Sequence, residues 1–429
     1  MRPAFWVVLL ASAAPTFAMG QTLQGDLSRS ATVDLFARDR NVGVRERPHP
    51  EYEAPGLPFG ALTLFPKLQT DLEYIDNVFA VAQGQEADVV LRLRPDVSLE
   101  SSWSRHSAQL YARGSVNRFA ELTSENTADY ELGGAGRLDL LRSTVVSGGA
   151  AYGKATEPRT SSNTPTGALE PIRFDYGQLN VAASHVFNRF RVSGRADLRS
   201  FDYQDAPAPN GRVLDQDDRD RRVTSLTGRG DYAISPDTAV FVQATGNKRQ
   251  YDVTSTPLRA ARDSSGYEVL AGADFQLSNL IRGELAAGYL SQKFDDPRFE
   301  DINGFGARGR LEYFVTELTT VTGTLSRSVE DAGIIGSAGF LSTQATVQVD
   351  HELLRNVILS ASASHFRDEY ETIDRNDTRW QFGANATYLL NRRVGVSLGY
   401  SRYDQNSEGR NGGLDFAVNR VIASLIVQL

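Results

Sequence analysis

The sequence predicts an all-β chain, a transmembrane antiparallel up-and-down β-barrel of about 18 strands with both ends periplasmic. Three observations predict it: a two-residue hydrophobic period running through most of the 429 residues, connections that alternate short and long, and a last strand that alternates to the final residue. Composition narrows the field. With 45 basic and 53 acidic residues, a net charge of −8, no cysteine and 41% apolar residues, the chain is neither disordered, nor a disulfide scaffold, nor a bundle of membrane helices. Cysteine-ligated metal is excluded, and the acidic excess argues against nucleic acid as a partner.

Residues 1–20 read as a signal peptide. Arg2 supplies the positive start, Ala4 to Ala14 an apolar run too short to cross a bilayer, and Thr16-Phe17-Ala18 a small-residue ending suited to cleavage. Residues 21–60 read as an extended periplasmic N-terminal segment. Pro48, Pro50, Pro55 and Pro58 favour open chain there, and Arg38, Arg40, Arg45 and Arg47 give it charge with which to enter the barrel or touch a partner.

Residues 61–429 read as the barrel. Leu68, Thr70, Leu72 and Tyr74 fall on one face of the first strand, and Lys67, Gln69, Asp71 and Glu73 on the other. The period returns at Val89, Leu91, Leu93, Val97 and Leu99, at Tyr267 to Leu277, at Phe305 to Tyr313, at Leu341 to Val349 and at Trp380 to Tyr388. Short links fall near 101–106, 141–143, 188–189, 235–238, 278–280, 316–318, 354–356 and 391–393. Longer polar links fall near 75–87, 120–128, 154–173, 204–221, 252–264, 295–303, 330–339, 367–377 and 404–415. Seventeen links join about eighteen strands of roughly ten residues, the length a membrane-crossing strand needs. Tyrosines such as Tyr74, Tyr152, Tyr289 and Tyr400 lie near strand ends, where the headgroup layer suits their rings.

The last strand carries Val421, Ala423, Leu425, Val427 and Leu429 on one face. It resembles the terminal strand that the outer-membrane assembly machinery recognises, with Leu429 where an aromatic is usual. The expected partners are therefore outer-membrane lipid, lipopolysaccharide and that machinery, and the expected location is the bacterial outer membrane.

Leu64-Phe65-Pro66 followed by Tyr74-Ile75-Asp76-Asn77-Val78-Phe79 resembles the opening of the β-barrel porin 2 family. Further similar runs are Gly288-Tyr289-Leu290-Ser291-Gln292 leading to Asp295-Asp296-Pro297-Arg298-Phe299, then Ser326-Arg327-Ser328-Val329-Glu330, Asp350-His351-Glu352-Leu353-Leu354-Arg355-Asn356 and Asn419-Arg420-Val421. The resemblance spans roughly 44–429 and carries no residue-level functional motif. It implies association with exopolysaccharide synthesis and export in Gram-negative bacteria, hence exopolysaccharide and periplasmic export components as partners.

Motifs suggesting catalysis are weak. Gly304-Phe305-Gly306-Ala307-Arg308-Gly309 fits a dinucleotide fingerprint, but it lies within a strand and no helix follows to hold a pyrophosphate. Asp215-Gln216-Asp217-Asp218-Arg219-Asp220 lacks the glycine and distal glutamate of an EF-hand and reads as a solvated loop. Arg229-Gly230-Asp231 spells an adhesion tripeptide within strand sequence rather than at a loop tip. The five histidines, at 49, 106, 185, 351 and 365, show no zinc spacing, and no nucleophile elbow occurs. No enzyme, cofactor or metal site is expected.

The predicted lumen is the informative surface. Inward parity places Arg92, Arg94, Arg113, Arg195, Arg199, Arg229, Arg282, Arg308 and Arg310 there, with Glu268, Asp274, Glu284 and Glu312, and also Asp96, Asp197, Asp231 and Asp350. Mixed charge either braces the wall by ion pairs or, with serine, threonine and glutamine rows, suits a hydrated polysaccharide that slides. The expected function is an outer-membrane channel for exopolysaccharide export. A general diffusion porin for small polar solutes and a non-conducting structural or adhesive barrel stay open as alternatives.

Overall fold

A computed structural model describes residues 42–429 except 166, 254, 255, 257–259 and 335. The signal peptide expected at 1–20, and residues 21–41 with Arg38 and Arg40, lie outside the described residues. The first half of the sheet comprises β1 (Leu57–Phe59), β2 (Leu62–Ile75), β3 (Asp88–Ser101), β4 (Ser107–Phe119), β5 (Thr127–Leu141), β6 (Thr144–Thr156), β7 (Arg173–Phe187) and β8 (Phe190–Tyr203). A loop hairpin, β9 (Ala206–Ala208) and β10 (Arg212–Leu214), precedes β11 (Arg221–Ser235), β12 (Thr238–Tyr251), β13 (Ser264–Leu277), β14 (Ile281–Phe294) and β15 (Ile302–Thr316). The wall ends with β16 (Thr319–Asp331), β17 (Gly339–Leu354), β18 (Val357–Tyr370), β19 (Arg375–Leu389), β20 (Val394–Glu408) and β21 (Phe416–Gln428).

Eighteen of these strands, β2–β8 and β11–β21, pair antiparallel with their chain neighbours, and β21 returns to β2 from Lys67↔Gln428 to Ile75↔Arg420. No edge is left in the wall, as lipid demands, because hydrocarbon offers an unpaired N–H no partner. The strands run 13 to 16 residues, longer than the ten expected from the sequence. At about 3.3 Å per residue and a tilt near 40°, 14 residues rise roughly 35 Å, beyond an apolar band of about 25 Å. The two last long links are shorter than expected for the same reason: β18 runs to Tyr370 and β20 to Glu408.

Alternation sorts the wall into two surfaces. Leu72, Leu132, Val181, Leu226, Val242, Tyr267, Phe305 and Leu398 stand outward and exposed, an oily belt that only lipid covers. Charged and hydroxyl side chains take the inner face. Short turns gather at one end with the start of β2 and the end of β21, and the long loops gather at the other. Small apolar clusters sit inside near the loop end, such as Phe174, Tyr176 and Tyr203 with Ile172.

Candidate functional site

The inner wall divides into two sectors. From β2 to β5 and from β8 to β15 it is held by ion pairs, with small and amide side chains on β6 and β7 between them. Arg92 contacts Glu73 at 2.6 Å, Arg94 contacts Asp71, and Arg113 reaches Asp96 at 3.3 Å and Glu131 at 3.8 Å. Arg195 pairs with Asp197 at 2.6 Å two residues along its own strand. Buried Asp231 accepts from Arg191 at 3.0 Å and from Arg229 at 2.9 Å, and Arg229 also reaches Glu284 at 2.9 Å. Glu312 sits between Arg282 and Arg310, the latter at 2.5 Å, and Arg308 lies 3.5 Å from Glu268. Arg199 points inward on β8, and Asp274 faces inward on β13 opposite Glu284 in register. The adhesion-like tripeptide is thus an Arg229–Asp231 pair on the inner wall, not a loop tip.

Charges two residues apart on one strand share a face, and register sets the cross-strand partners. The lattice thereby neutralises most of its own field, which favours the bracing reading of the mixed charge. Arg308 and Arg310 keep about half of their side-chain surface open to the lumen, at 51% and 46%, and are the wall cations best placed to meet a passing anion.

From β16 to β20 the sector changes character. Inward rows run Thr322–Gln348–Ser362–Gly383–Ser401 and Thr324–Thr346–Ser364–Gln381 across successive strands. Neither row contains a charged side chain. Thr346 and Ser364 share a hydrogen bond of 2.9 Å, and Asn385 donates to Thr387 at 2.9 Å.

At the short-turn end, residues 43–53 form a strap beneath this neutral sector. A single 3-10 turn (Val44–Glu46) seats buried Val44, whose amide donates to Thr320 Oγ1 at 3.1 Å. Arg45 binds Asp350 at 2.8 Å, Arg47 binds Glu352 at 2.7 Å, and Glu46 accepts from Arg282 at 2.8 Å. Farther along, Arg392 donates to the Pro50 carbonyl at 3.0 Å and Gln428 to that of Tyr52 at 3.2 Å. The strap therefore follows an arc from β14 to β21.

At the opposite end, the 157–172 loop crosses the mouth. It leaves between β6 and β7, yet Tyr403 on β20 donates to the Thr160 carbonyl at 3.1 Å and Arg375 on β19 to that of Ser162 at 3.4 Å. Asn163 donates to the Asp331 carbonyl at 3.2 Å and accepts from the Gly333 amide at 2.9 Å. Arg219 grips Glu157 through both guanidinium ends at 2.9 and 3.0 Å. Partly buried Asp331 binds Arg221 at 2.8 Å and Arg249 at 2.6 Å. Inter-loop contacts of this kind leave no periodic trace in sequence, so the crossing loop could not be named from it, and Arg45, Arg47 and Asp350 could be named there but not paired.

Next to this network, burial pushes the Asp220 carboxyl up to about 6, helped by nearby Asp202, Asp217 and Asp252 and opposed by the Tyr203 amide that donates to it at 2.6 Å. Asp205, Asp215 and Asp217 bring carboxylate oxygens within 4.8 Å of one another, all exposed. Asp205 and Asp215 accept backbone amides of Gln216 and Asp217. Gly304 to Gly309 lies wholly within β15, with no helix after it.

No curated protein matches the chain. Among solved structures it is similar to Pseudomonas aeruginosa OccK2 (OpdF) in complex with glucuronate, at 11% identity over 85% of this chain and 98% of that one, TM-score 0.47. It is also similar to Pseudomonas aeruginosa OpdO, at 13% over 86% and 97% with TM-score 0.45, and to the siderophore receptor PirA from Acinetobacter baumannii, at 8% over 85% and 80% with TM-score 0.44. The sequence profile described as "Putative beta-barrel porin 2" matches residues 49–429. With that match, the closed wall and its oily belt, the chain belongs to the beta-barrel porin 2 family and is a large β-barrel of the bacterial outer membrane.

Proposed function

We propose that this barrel passes small hydrophilic solutes by diffusion across the outer membrane. The carrying observation is a wet inner wall narrowed at both ends, by the 157–172 loop tied to the far side and by the strap at 43–53. Tethers at both mouths would pass single solutes more readily than a continuous polymer, which would have to displace both. Liposomes carrying the purified protein should swell quickly in monosaccharide and slowly in hexasaccharide. Equal rates for both sizes would contradict the reading.

Exopolysaccharide export is the second reading, favoured by the uncharged hydroxyl and amide rows of β16–β19. A strain lacking the gene should then lose surface polymer and retain polymer or precursor inside. Unchanged secretion would leave solute diffusion standing alone.

A further inference from the structure

We infer that the inner face of β16–β19 is a binding track for uncharged carbohydrate, an inference that rests on the channel reading above. Thr322, Thr324, Ser326, Ser362 and Gln381 face the lumen and make no side-chain hydrogen bond within the described residues. Thr324 and Ser326 are exposed there. A sugar ring presents hydroxyls that both donate and accept, and hydroxyl and amide side chains answer both roles. The ion-paired strands cannot compete on equal terms, because their carboxylates are already occupied by arginines. Register joins these residues side by side across four strands, a patch about 15 Å around the wall at roughly 4.8 Å per strand.

Charge complements the argument. The patch is bounded by Arg308 and Arg310 on one flank and by Asp350 and Glu352, both held by the strap, at its short-turn end. An anionic sugar would meet cations only at the Arg308 and Arg310 edge, whereas the rows on β17–β19 offer its carboxylate none, so the track favours neutral saccharides.

The test uses the full chain in planar bilayers, with maltohexaose and a hexamer of galacturonate as probes. Maltohexaose should interrupt the open current with resolved dwell times, more strongly than the anionic hexamer. The triple variant Thr324→Val, Thr346→Val, Ser362→Ala should shorten those dwells about tenfold, since each lost hydrogen bond weakens binding several-fold. The pair Ser225→Ala, Thr227→Val on the far wall should leave them unchanged. Tighter blocking by the anionic hexamer, or equal losses from the two sets of variants, would overturn the track. Open current with no interruption by maltohexaose would overturn it while leaving the channel reading intact. Absence of any current would bring down the channel reading and the track together. Unaltered single-channel conductance of the triple variant guards against misfolding, and a single Thr324→Val with a smaller loss in the same direction would support the track independently.

Discussion

Asp231 carries two arginines on a wall that water reaches from one side only. Its side chain is fully buried, and Arg191 shows just 10% of its own. Removing the carboxylate breaks the buried pair with Arg191 and leaves Arg229 only Glu284, so Asp231→Ala should lower stability by about 3–5 kcal/mol, read as a shift in urea unfolding in detergent micelles. Arg310→Gln, at a half-exposed site, should cost less than about 1 kcal/mol in the same assay. Backbone spacing gives a second contrast. A Cβ at Gly288 would meet the Val269 carbonyl oxygen at 1.8 Å, while one at Gly246 meets nothing within 4 Å. Gly288→Ala should therefore destabilise by about 1–3 kcal/mol and Gly246→Ala leave the midpoint in place, because overfilling a tight contact forces the backbone apart.

The strap and the crossing loop are elements whose stability is local. Arg45 and Arg47 bind carboxylates, Asp350 and Glu352, that are almost wholly buried. Reversing both charges, Arg45→Glu with Arg47→Glu, sets like charges together. The strap should detach, with a higher mean conductance and new protease cuts within 43–53; unchanged current would show that the strap does not narrow the path. The 204–220 loop should respond to pH through Asp220. Its folded value, about 6, lies above the ordinary aspartate value near 4, so the folded loop binds the proton more tightly than the unfolded one. That contribution is complete below about pH 4 and is lost as pH rises through 6. The loop should resist protease better at pH 5 than at pH 7.5, and Asp220→Asn should remove the difference.

At the scale of the whole molecule, the oily belt and the wet lumen are held apart by nothing more than side-chain parity. Leu226 stands near the middle of β11 and outward, 66% exposed. Leu226→Arg should cost about 2–4 kcal/mol in lipid, measured by reversible unfolding from vesicles, since a midplane charge faces hydrocarbon. The same parity explains how much was legible beforehand. Asp71 and Glu73 could be assigned to one face and Leu72 and Tyr74 to the other from order alone, and Arg229 and Asp231 could be moved from an adhesive loop into a strand. Strand ends were less legible. Glu408 and Tyr370 sit in polar sequence that looks like loop, yet pairing with neighbours extends β20 and β18 to them.

By itself the sequence determined the strands, their two faces, the rhythm of turns and loops, and thus a closed barrel in lipid, because alternation and link length are local properties of the chain. Only the tertiary structure decided that Arg45 and Arg47 lock into Asp350 and Glu352, that Thr160 and Ser162 reach the opposite wall, and that uncharged rows align from β16 to β20. Those contacts join residues up to about three hundred positions apart, and their energy depends on curvature and closure that no local pattern encodes.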